Sequence, residues 1–267
     1  MVNERPRPRK RFGQHFLEPA WVAKLVDVVR PSPDDTFLEI GPGRGALTRA
    51  LAPRVGRIVA VEIDRDLAAA LPREVQAHVR VVQGDFLDVD LDDLLAGEAK
   101  PLRVIGNLPY NVSSPILFTL LSAHDEGRRF RDATLMLQRE VADRLVAAPG
   151  TSEYGALAIQ VALHADVERL LVLPPGAFRP PPKVTSAVVR LSFRPPAVDV
   201  GDPVRFERLV RGAFSQRRKT MANALRPHLD GTDPATLLRA VGIDPQRRPE
   251  TLTVAEFARL SYYVGST

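Results

Sequence analysis

The chain has 267 residues and no cysteine, and its 37 Lys and Arg against 32 Asp and Glu give a net charge of +5. Without cysteine, disulfide bonds, thiolate catalysis and Cys-ligated zinc or iron–sulfur sites are excluded. Hydrophobic residues make up 45% and charged residues 26%, as in ordinary globular proteins, so extensive disorder and a fibrous repeat are excluded too. Because no apolar run is long enough for a membrane span or a signal segment, we expect a soluble cytoplasmic protein.

The charges are unevenly distributed along the chain. Residues 1–30 carry seven basic against three acidic residues, residues 31–182 carry 16 against 21, and residues 183–267 carry 14 against eight. Two basic flanks around an acidic middle are typical of a cofactor module set between surfaces that contact a polyanion. The alternative is that the Arg-rich flanks only keep the protein soluble.

Hydrophobic spacing predicts an α/β domain in the first two thirds of the chain. An amphipathic helix over residues 18–30 is followed by four compact apolar runs that resemble buried parallel strands. These runs begin at Thr36, Arg57, Val79 and Pro101. The helical stretches between them predict a doubly wound sheet. A strand that runs into a helix from Ala133 follows, and the runs ALAIQVALHA and AVVRLSF are expected to complete the sheet.

The last part of the chain has a different pattern. Residues 174–182 are dense in proline, which predicts a fixed loop, because proline continues neither a helix nor a central strand. From Pro203 onward the spacing is helical only. We therefore expect two domains: residues 1–195, which form the basic arm and the α/β domain, and residues 196–267, which form a small helical domain.

Three predicted strands end in residues suited to a nucleotide-like cofactor. The first ends in EIGPGRGALT, where Gly41 and Gly43 allow a tight strand-to-helix turn and close approach of a ligand to the backbone. The second ends in Glu62, a candidate acceptor for the two ribose hydroxyls. The third ends in Asp85 and Phe86, which offer a carboxylate and a ring to an adenine. This pattern alone does not exclude NAD as the cofactor, although the G-x-G-x-G spacing departs from the G-x-G-x-x-G spacing of dinucleotide-binding proteins.

The fourth predicted strand ends in Asn107, Leu108, Pro109 and Tyr110, and this motif resembles the signature of methyltransferases that act on the amino groups of nucleobases. An adenine amine is a poor nucleophile, because its lone pair is delocalised into the ring. The Asn107 side-chain oxygen and the Leu108 carbonyl can accept its two hydrogens, while Tyr110 stacks on the extruded base. The alternative is a rigid turn with a buried tyrosine.

Seven ordered motifs resemble the ribosomal RNA adenine dimethyltransferase family of the KsgA (RsmA) type. They are RKRFGQHFL, EIGPGRGALT, VEIDRDL, GNLPYNVSSPIL, LQREVADRLVA, FRPPPKVTSAVVRL and AFSQRRKTMANAL. The resemblance covers almost the whole chain. It implies a Rossmann-like class I methyltransferase domain, S-adenosylmethionine as cofactor, and a small helical domain.

The resemblance also implies roles for single residues. The family's GQNFL segment lies over the cofactor, which indicates His15 and Leu17 here, with His15 in place of the usual Asn. The FRPPPKV loop resembles the target-base loop, so Phe178 is a candidate for the stacking face opposite Tyr110. The alternative for Phe178 is a core residue beside a Pro-rich loop.

The basic flanks are the candidate RNA-binding surfaces, where phosphate contacts would position the RNA. The candidates are Arg9, Lys10, Arg11, Arg217, Arg218 and Lys219. For any one of them, a solvated surface charge is the alternative.

We therefore expect an enzyme, with no metal, that dimethylates adenines of 16S ribosomal RNA in the 30S subunit or its precursor and acts as a monomer. The alternatives are an Erm-type large-subunit (23S) RNA methyltransferase and a non-catalytic RNA-binding assembly or transcription factor on the same scaffold. An NAD-dependent oxidoreductase is disfavoured, because no catalytic arrangement for hydride transfer is visible.

Overall fold

A computed structural model describes residues 14–99, 101–127, 129–229 and 233–266. The strands are β1 (Phe16–Leu17), β2 (Thr36–Ile40), β3 (Arg57–Glu62), β4 (Val79–Gln83), β5 (Leu102–Asn107), β6 (Phe130–Gln138), β7 (Ala165–Leu173), β8 (Phe178–Arg179) and β9 (Ser186–Phe193). The α-helices are α1 (Pro19–Val29), α2 (Ala46–Leu51), α3 (Arg65–Ala70), α4 (Leu91–Leu94), α5 (Ser113–Gly127), α6 (Arg139–Leu145), α7 (Ala156–His164), α8 (Pro203–Ser215), α9 (Met221–Leu225), α10 (Pro234–Ala240) and α11 (Val254–Ser266). Within these residues, no helix has the length and apolar character needed to cross a bilayer.

A seven-stranded sheet with the order β4-β3-β2-β5-β6-β9-β7 forms the centre of the first of two compact units, residues 1–142 and 168–193. The five neighbouring strands β4, β3, β2, β5 and β6 are parallel to one another, and β9 is antiparallel to β6. The predicted Rossmann-like α/β fold is thus confirmed. The chain runs outward from β2 to β4 and then returns to place β5 on the other side of β2. This reversal creates a crevice at the carboxyl ends of β2 and β5, where open α/β sheets bind ligands.

A buried ion-pair network ties together the amino ends of the strands, opposite this crevice. Arg103, the second residue of β5, donates from Nε to both carboxylate oxygens of Asp132 at 3.0 and 3.1 Å. Its Nη1 donates to Asp35 at 2.9 Å and its Nη2 to the carbonyl of Val29 at 2.8 Å. Since every buried charge in this set has an opposite charge beside it, the network fixes β2, β5, β6 and the end of α1 in one arrangement.

A short antiparallel ladder lies apart from the main sheet. Strands β1 and β8 pair Phe16 with Arg179 and Leu17 with Phe178. The predicted Pro-rich loop therefore contains a two-residue strand, β8, that pairs with the segment before α1. That segment is held on the first unit by this ladder and by the side-chain contacts of the site.

The second compact unit consists of residues 143–167 and 194–267. Its core is built from helical side chains such as Phe206, Val210 and Phe257, which are fully buried. The predicted strand ALAIQVALHA is wrong, because these residues form α7 and bury Ile159 and Leu163 in this core. A continuous apolar run fits a buried helix as well as a strand, and Ala, Leu and Gln favour the helix. The unit accordingly includes residues from before the predicted boundary at 195.

Candidate active site

A cavity of about 90 Å³ lies at the carboxyl ends of β2, β3 and β5, at the crevice of the first unit. Four separate chain segments line it. They are residues 14–17, residues 39–47 except Ile40 and Gly45, residues 62–63, and residues 107–110. The strand ends predicted from the sequence around Gly41, Glu62 and Asn107 therefore do meet at one place.

Two glycines shape the turn after β2. Gly41 and Gly43 have φ angles of 67° and 58°, in the region that residues with a Cβ rarely adopt. A Cβ added at Gly41 would meet no atom within 4 Å, whereas a Cβ at Gly43 would lie 3.1 Å from a ring carbon of Phe16. Gly41 thus leaves open space beside the backbone, and Gly43 permits the ring of Phe16 to approach the turn closely.

Glu62 links the end of β3 to this turn. Its carboxylate accepts hydrogen bonds from the backbone N–H of Gly43 at 2.8 Å and of Asp64 at 2.9 Å. Burial raises the pKa of Glu62 despite these two bonds. A carboxylate has about four acceptor positions, so lone pairs beyond these two bonds remain for a ligand in the cavity.

Glu39 is a lining residue that sequence reasoning missed. It is 1% exposed, and its carboxylate accepts a hydrogen bond from the Thr48 hydroxyl at 2.7 Å. Burial raises the pKa of Glu39 to about 7. The signal was present in the sequence, because Glu39 is the one charged residue in the buried strand TFLEI, and a buried carboxyl with a raised pKa is typical of functional sites.

The turn after β5 holds two polar side chains in place. The Asn107 amide donates from Nδ2 to the backbone carbonyl of His15 at 2.7 Å. The hydroxyls of Tyr110 and Ser186 share a hydrogen bond of 2.7 Å. Burial raises the pKa of Tyr110, which keeps the phenol neutral. Leu108, which is buried, donates its N–H to the Met136 carbonyl at 3.2 Å and so fixes the turn against β6.

The ring of His15 lies against the ring of Tyr110. The two ring centroids are 6.0 Å apart and the ring planes differ by 23°. Nδ1 of His15 lies 2.7 Å from the carbonyl oxygen of Pro180, and since a carbonyl can only accept, Nδ1 carries the proton. His15 and Leu17, the two residues that the resemblance indicates, both line the cavity.

Phe16 and Arg44 are two further lining residues that sequence reasoning missed. The Arg44 guanidinium lies 4.3 Å from the centre of the Phe16 ring, within the range of a cation–π contact. Phe16 in turn covers Gly43. The contact between Phe16 and Arg44 leaves no periodic pattern in the sequence, because the two residues are far apart in the chain.

Three predicted site residues do not line the cavity. Asp85 accepts a hydrogen bond from the N–H of Leu87 at 3.0 Å and closes a local turn, and Phe86 is buried. Phe178 is 1% exposed and packs in the apolar core with Leu17. The prediction that Phe178 supplies the second stacking face is not supported by this arrangement, because a ring so deeply buried has no face open to a base.

The candidate RNA-binding residues are described only in part. Arg9, Lys10 and Arg11 lie outside the described residues. Arg217, Arg218 and Lys219 follow α8 and line a surface groove with residues 214–216. Arg217 donates to the carbonyl of Thr151 at 3.3 Å, whereas Arg218 and Lys219 are exposed.

Comparison with known proteins agrees with this arrangement. The family model described as ribosomal RNA adenine dimethylase matches residues 5–265. The chain is 49% identical to ribosomal RNA small subunit methyltransferase A of Geobacter metallireducens, over 98% of this chain and 97% of the relative. It is 46% identical to the protein of the same name from Aromatoleum aromaticum, over 97% and 95%.

Two solved structures are similar along most of their length. A dimethyladenosine transferase from Plasmodium falciparum has a TM-score of 0.77 and 25% identity, with 92% of this chain and 96% of that chain covered. The 23S rRNA methyltransferase ErmE has a TM-score of 0.67 and 26% identity, with 94% and 99% covered. With the family model matched almost from end to end, the chain belongs to the ribosomal RNA adenine dimethylase family.

Proposed function

We propose that this protein transfers methyl groups from S-adenosylmethionine to the exocyclic amines of adenines in small-subunit (16S) ribosomal RNA, forming N6,N6-dimethyladenosine during assembly of the 30S subunit. The curated relatives named for small-subunit methylation support the substrate, since their identity to this chain is 46% or higher over nearly its full length. The observation that carries the chemistry is the hydrogen bond from Asn107 Nδ2 to the His15 carbonyl.

The cavity offers S-adenosylmethionine open space beside the backbone, a carboxylate acceptor and an apolar surface. The open space beside Gly41 leaves room for a ligand against the backbone. Glu62 has acceptor positions for ribose hydroxyls, and Ile63, which is 38% exposed, offers an apolar surface to the adenine of the cofactor. When bound, S-adenosylmethionine supplies a methyl group activated by a positively charged sulfur.

Asn107 is oriented to hold the target amine. Because a carbonyl accepts but does not donate, the contact with His15 commits the NH₂ side of the Asn107 amide to that carbonyl. The amide oxygen is then the atom left to accept a hydrogen bond from an adenine amine. With the Leu108 carbonyl as second acceptor, the amine is held by its hydrogens, and its lone pair is directed toward the methyl group.

Proton transfer needs no strong base in this scheme. Once the amine nitrogen has gained a methyl group it is positively charged and acidic, so it releases a proton to water. Tyr110, kept as a neutral phenol and fixed by Ser186, stacks on the extruded base. The residues therefore act by positioning, and repetition of the step on the same nitrogen gives the dimethyl product.

The proposed partner is ribosomal RNA within a 30S particle or its precursor. The protein binds this RNA as a monomer in the cytoplasm. Residues 9–11 and 217–219 supply cations at the two basic parts of the chain. Contacts from these cations to phosphates position the RNA, while the choice of base rests on the site around Asn107.

The proposal is tested by incubating the protein with methyl-labelled S-adenosylmethionine and unmethylated 30S or 50S subunits, and then mapping the label. We expect label on adenines of the 30S subunit. Label on the 50S subunit alone would establish methylation of the large subunit instead. RNA binding without any label would establish a non-catalytic RNA-binding role.

The role of Asn107 is tested in the same assay. Asn107→Ala is expected to abolish methyl transfer while leaving the affinity for 30S subunits, measured by filter binding, unchanged. Asn111→Ala is the matched control, because it removes an exposed amide from the same loop. Undiminished turnover of Asn107→Ala would refute the amine-holding role.

A further inference from the structure

We propose that Ser186 is a positioning residue whose hydrogen bond to Tyr110 matters most for the second methyl transfer, the step that converts a monomethylated adenine into the dimethylated product. This inference rests on the proposed function and concerns the geometry of the same site. Ser186 is the first residue of β9, in the segment FRPPPKVTSAVVRL. The observation behind the inference is the hydrogen bond of 2.7 Å between the hydroxyls of Ser186 and Tyr110.

Ser186 acts on the site through Tyr110. Its side chain is fully buried, and it is not among the described residues that line the cavity. A side chain without access to the cavity cannot contact a base or a cofactor bound there. An effect of Ser186 on methyl transfer therefore passes through the orientation of the Tyr110 ring.

The sheet fixes the position of the Ser186 hydroxyl relative to Asn107. Ser186 pairs with Gln138 in the antiparallel ladder between β9 and β6. On its other side β6 pairs with β5, where Met136 is the partner of Asn107. The hydroxyl of Tyr110 is thus tied to the same part of the sheet that carries Asn107.

Tyr110 is held at both ends. At the backbone end, its carbonyl accepts a hydrogen bond from the Ser113 hydroxyl at 3.2 Å. At the other end, its phenol hydroxyl is bonded to Ser186. Neither contact occupies a face of the ring. Without Ser186 the backbone end is still fixed, but the ring can turn about the bonds of its own side chain, where the preference for one angle is weak.

The two methyl transfers differ in the hydrogens that the target amine offers. In each transfer the amine nitrogen bonds to the methyl carbon while the carbon–sulfur bond breaks and leaves its electron pair on sulfur. The nitrogen then releases a proton to water, and each transfer uses a separate molecule of S-adenosylmethionine. An unmethylated amine offers one hydrogen to the Asn107 oxygen and one to the Leu108 carbonyl. After the first transfer, a single hydrogen remains.

The loss of that hydrogen makes the ring of Tyr110 more important. Two hydrogen bonds define the direction of the amine even where the ring beneath the base tilts. A single hydrogen bond is a pivot, so the plane of the base then depends on the ring on which it stacks. Loss of the bond from Ser186 should therefore slow the second transfer more than the first. The expected size is roughly five-fold, the effect of one net hydrogen bond.

The test is single-turnover methyl transfer to unmethylated 30S subunits, after which the RNA is digested and N6-methyladenosine and N6,N6-dimethyladenosine are quantified by mass spectrometry over time. In Ser186→Ala we expect the rate of the second transfer to fall roughly five-fold relative to that of the first, so that the monomethylated product accumulates. Ser186→Thr keeps a hydroxyl and should retain the wild-type ratio of the two rates.

Tyr110→Phe removes the same hydrogen bond from the other side and keeps the ring. It should change the ratio as Ser186→Ala does, and the double variant should be no worse than either single variant, because both remove one interaction. Ser261→Ala is the matched control, since Ser261 is also fully buried and its hydroxyl donates to the Val200 carbonyl at 3.2 Å in the second unit. A loss of folded enzyme slows both transfers by the same factor and leaves their ratio unchanged.

An unchanged ratio of the two rates in either Ser186→Ala or Tyr110→Phe would overturn the inference, as would additive effects in the double variant. Weaker binding of S-adenosylmethionine by Ser186→Ala in calorimetry would also overturn it, because the effect would then arise at the cofactor. Failure of the proposed function is recognised separately, since the wild-type protein itself would then leave 30S subunits unlabelled or stop at the monomethylated product.

Discussion

Replacing Glu39 by Gln is expected to remove a pH-dependent destabilisation of the first unit. The pKa of Glu39 is raised by burial to about 7 in the folded protein, from an ordinary value of 4.5. A raised pKa means that the folded state binds a proton more tightly than the unfolded state does. The wild-type unit is therefore not destabilised by Glu39 below pH 4.5, and it loses stability as the pH rises toward and through 7.

The size of the effect follows from the two pKa values. A pKa difference of one corresponds to about 1.4 kcal/mol. Between pH 5 and pH 8 the ionisation of Glu39 lowers the free energy of unfolding by about 2 to 3 kcal/mol, given pKa values of 4.5 and about 7. In the Gln variant an amide oxygen still accepts the hydrogen bond from Thr48, and no charge develops. Its added NH₂ group lowers stability by an amount that is independent of pH.

The assay uses urea denaturation at pH 5, 6, 7 and 8. Trp21 is the one tryptophan of the chain and packs against the core of the first unit, so its fluorescence reports on the unit that contains Glu39. The stability of Glu39→Gln relative to wild type should rise by about 2 to 3 kcal/mol from pH 5 to pH 8. Glu74→Gln serves as control, because the Glu74 side chain is 50% exposed. Parallel pH profiles for wild type and Glu39→Gln would refute the reasoning.

Two further variants test the cofactor and RNA contacts. Glu62→Ala should weaken S-adenosylmethionine binding, because the ribose hydroxyls lose their acceptor and the glycine turn loses its bond at Gly43; an unchanged dissociation constant by calorimetry would exclude the ribose contact. Neutralising Arg217, Arg218 and Lys219 to Gln together should lower the slope of log affinity for 30S RNA against log salt by about two to three, the value for up to three phosphate contacts. An unchanged slope would move the RNA surface elsewhere on the protein.

The position of the site could be predicted from the sequence because it depends on strand ends. Apolar runs mark buried strands, and the carboxyl ends of neighbouring parallel strands share one edge of the sheet. Gly41, Glu62 and Asn107 each follow such a run, and all three line the same cavity. The helical C-terminal part was equally predictable, since its apolar residues recur at helical spacing from Pro203 onward.

The arrangement of the side chains within the site could not be predicted in the same way. The stacking of His15 on Tyr110 and the burial of Phe178 depend on how the segment before α1 packs. That segment contributes a strand of two residues, Phe16–Leu17, which is too short to leave a hydrophobic period. The prediction of a strand for ALAIQVALHA failed for a related reason, because so short and mostly apolar a run carries too little period to distinguish a helix from a strand.

The ladder between β1 and β8 has a consequence for how the two substrates communicate. It joins Leu17, which lines the candidate cavity, to Phe178 in the loop that also holds Pro180 beside His15. A cofactor that contacts Leu17 and a base bound beside Tyr110 would thus act on one connected piece of backbone. If a bound cofactor changes the affinity for RNA by some factor, bound RNA must change the affinity for the cofactor by the same factor, since coupling between two binding events is equal in both directions.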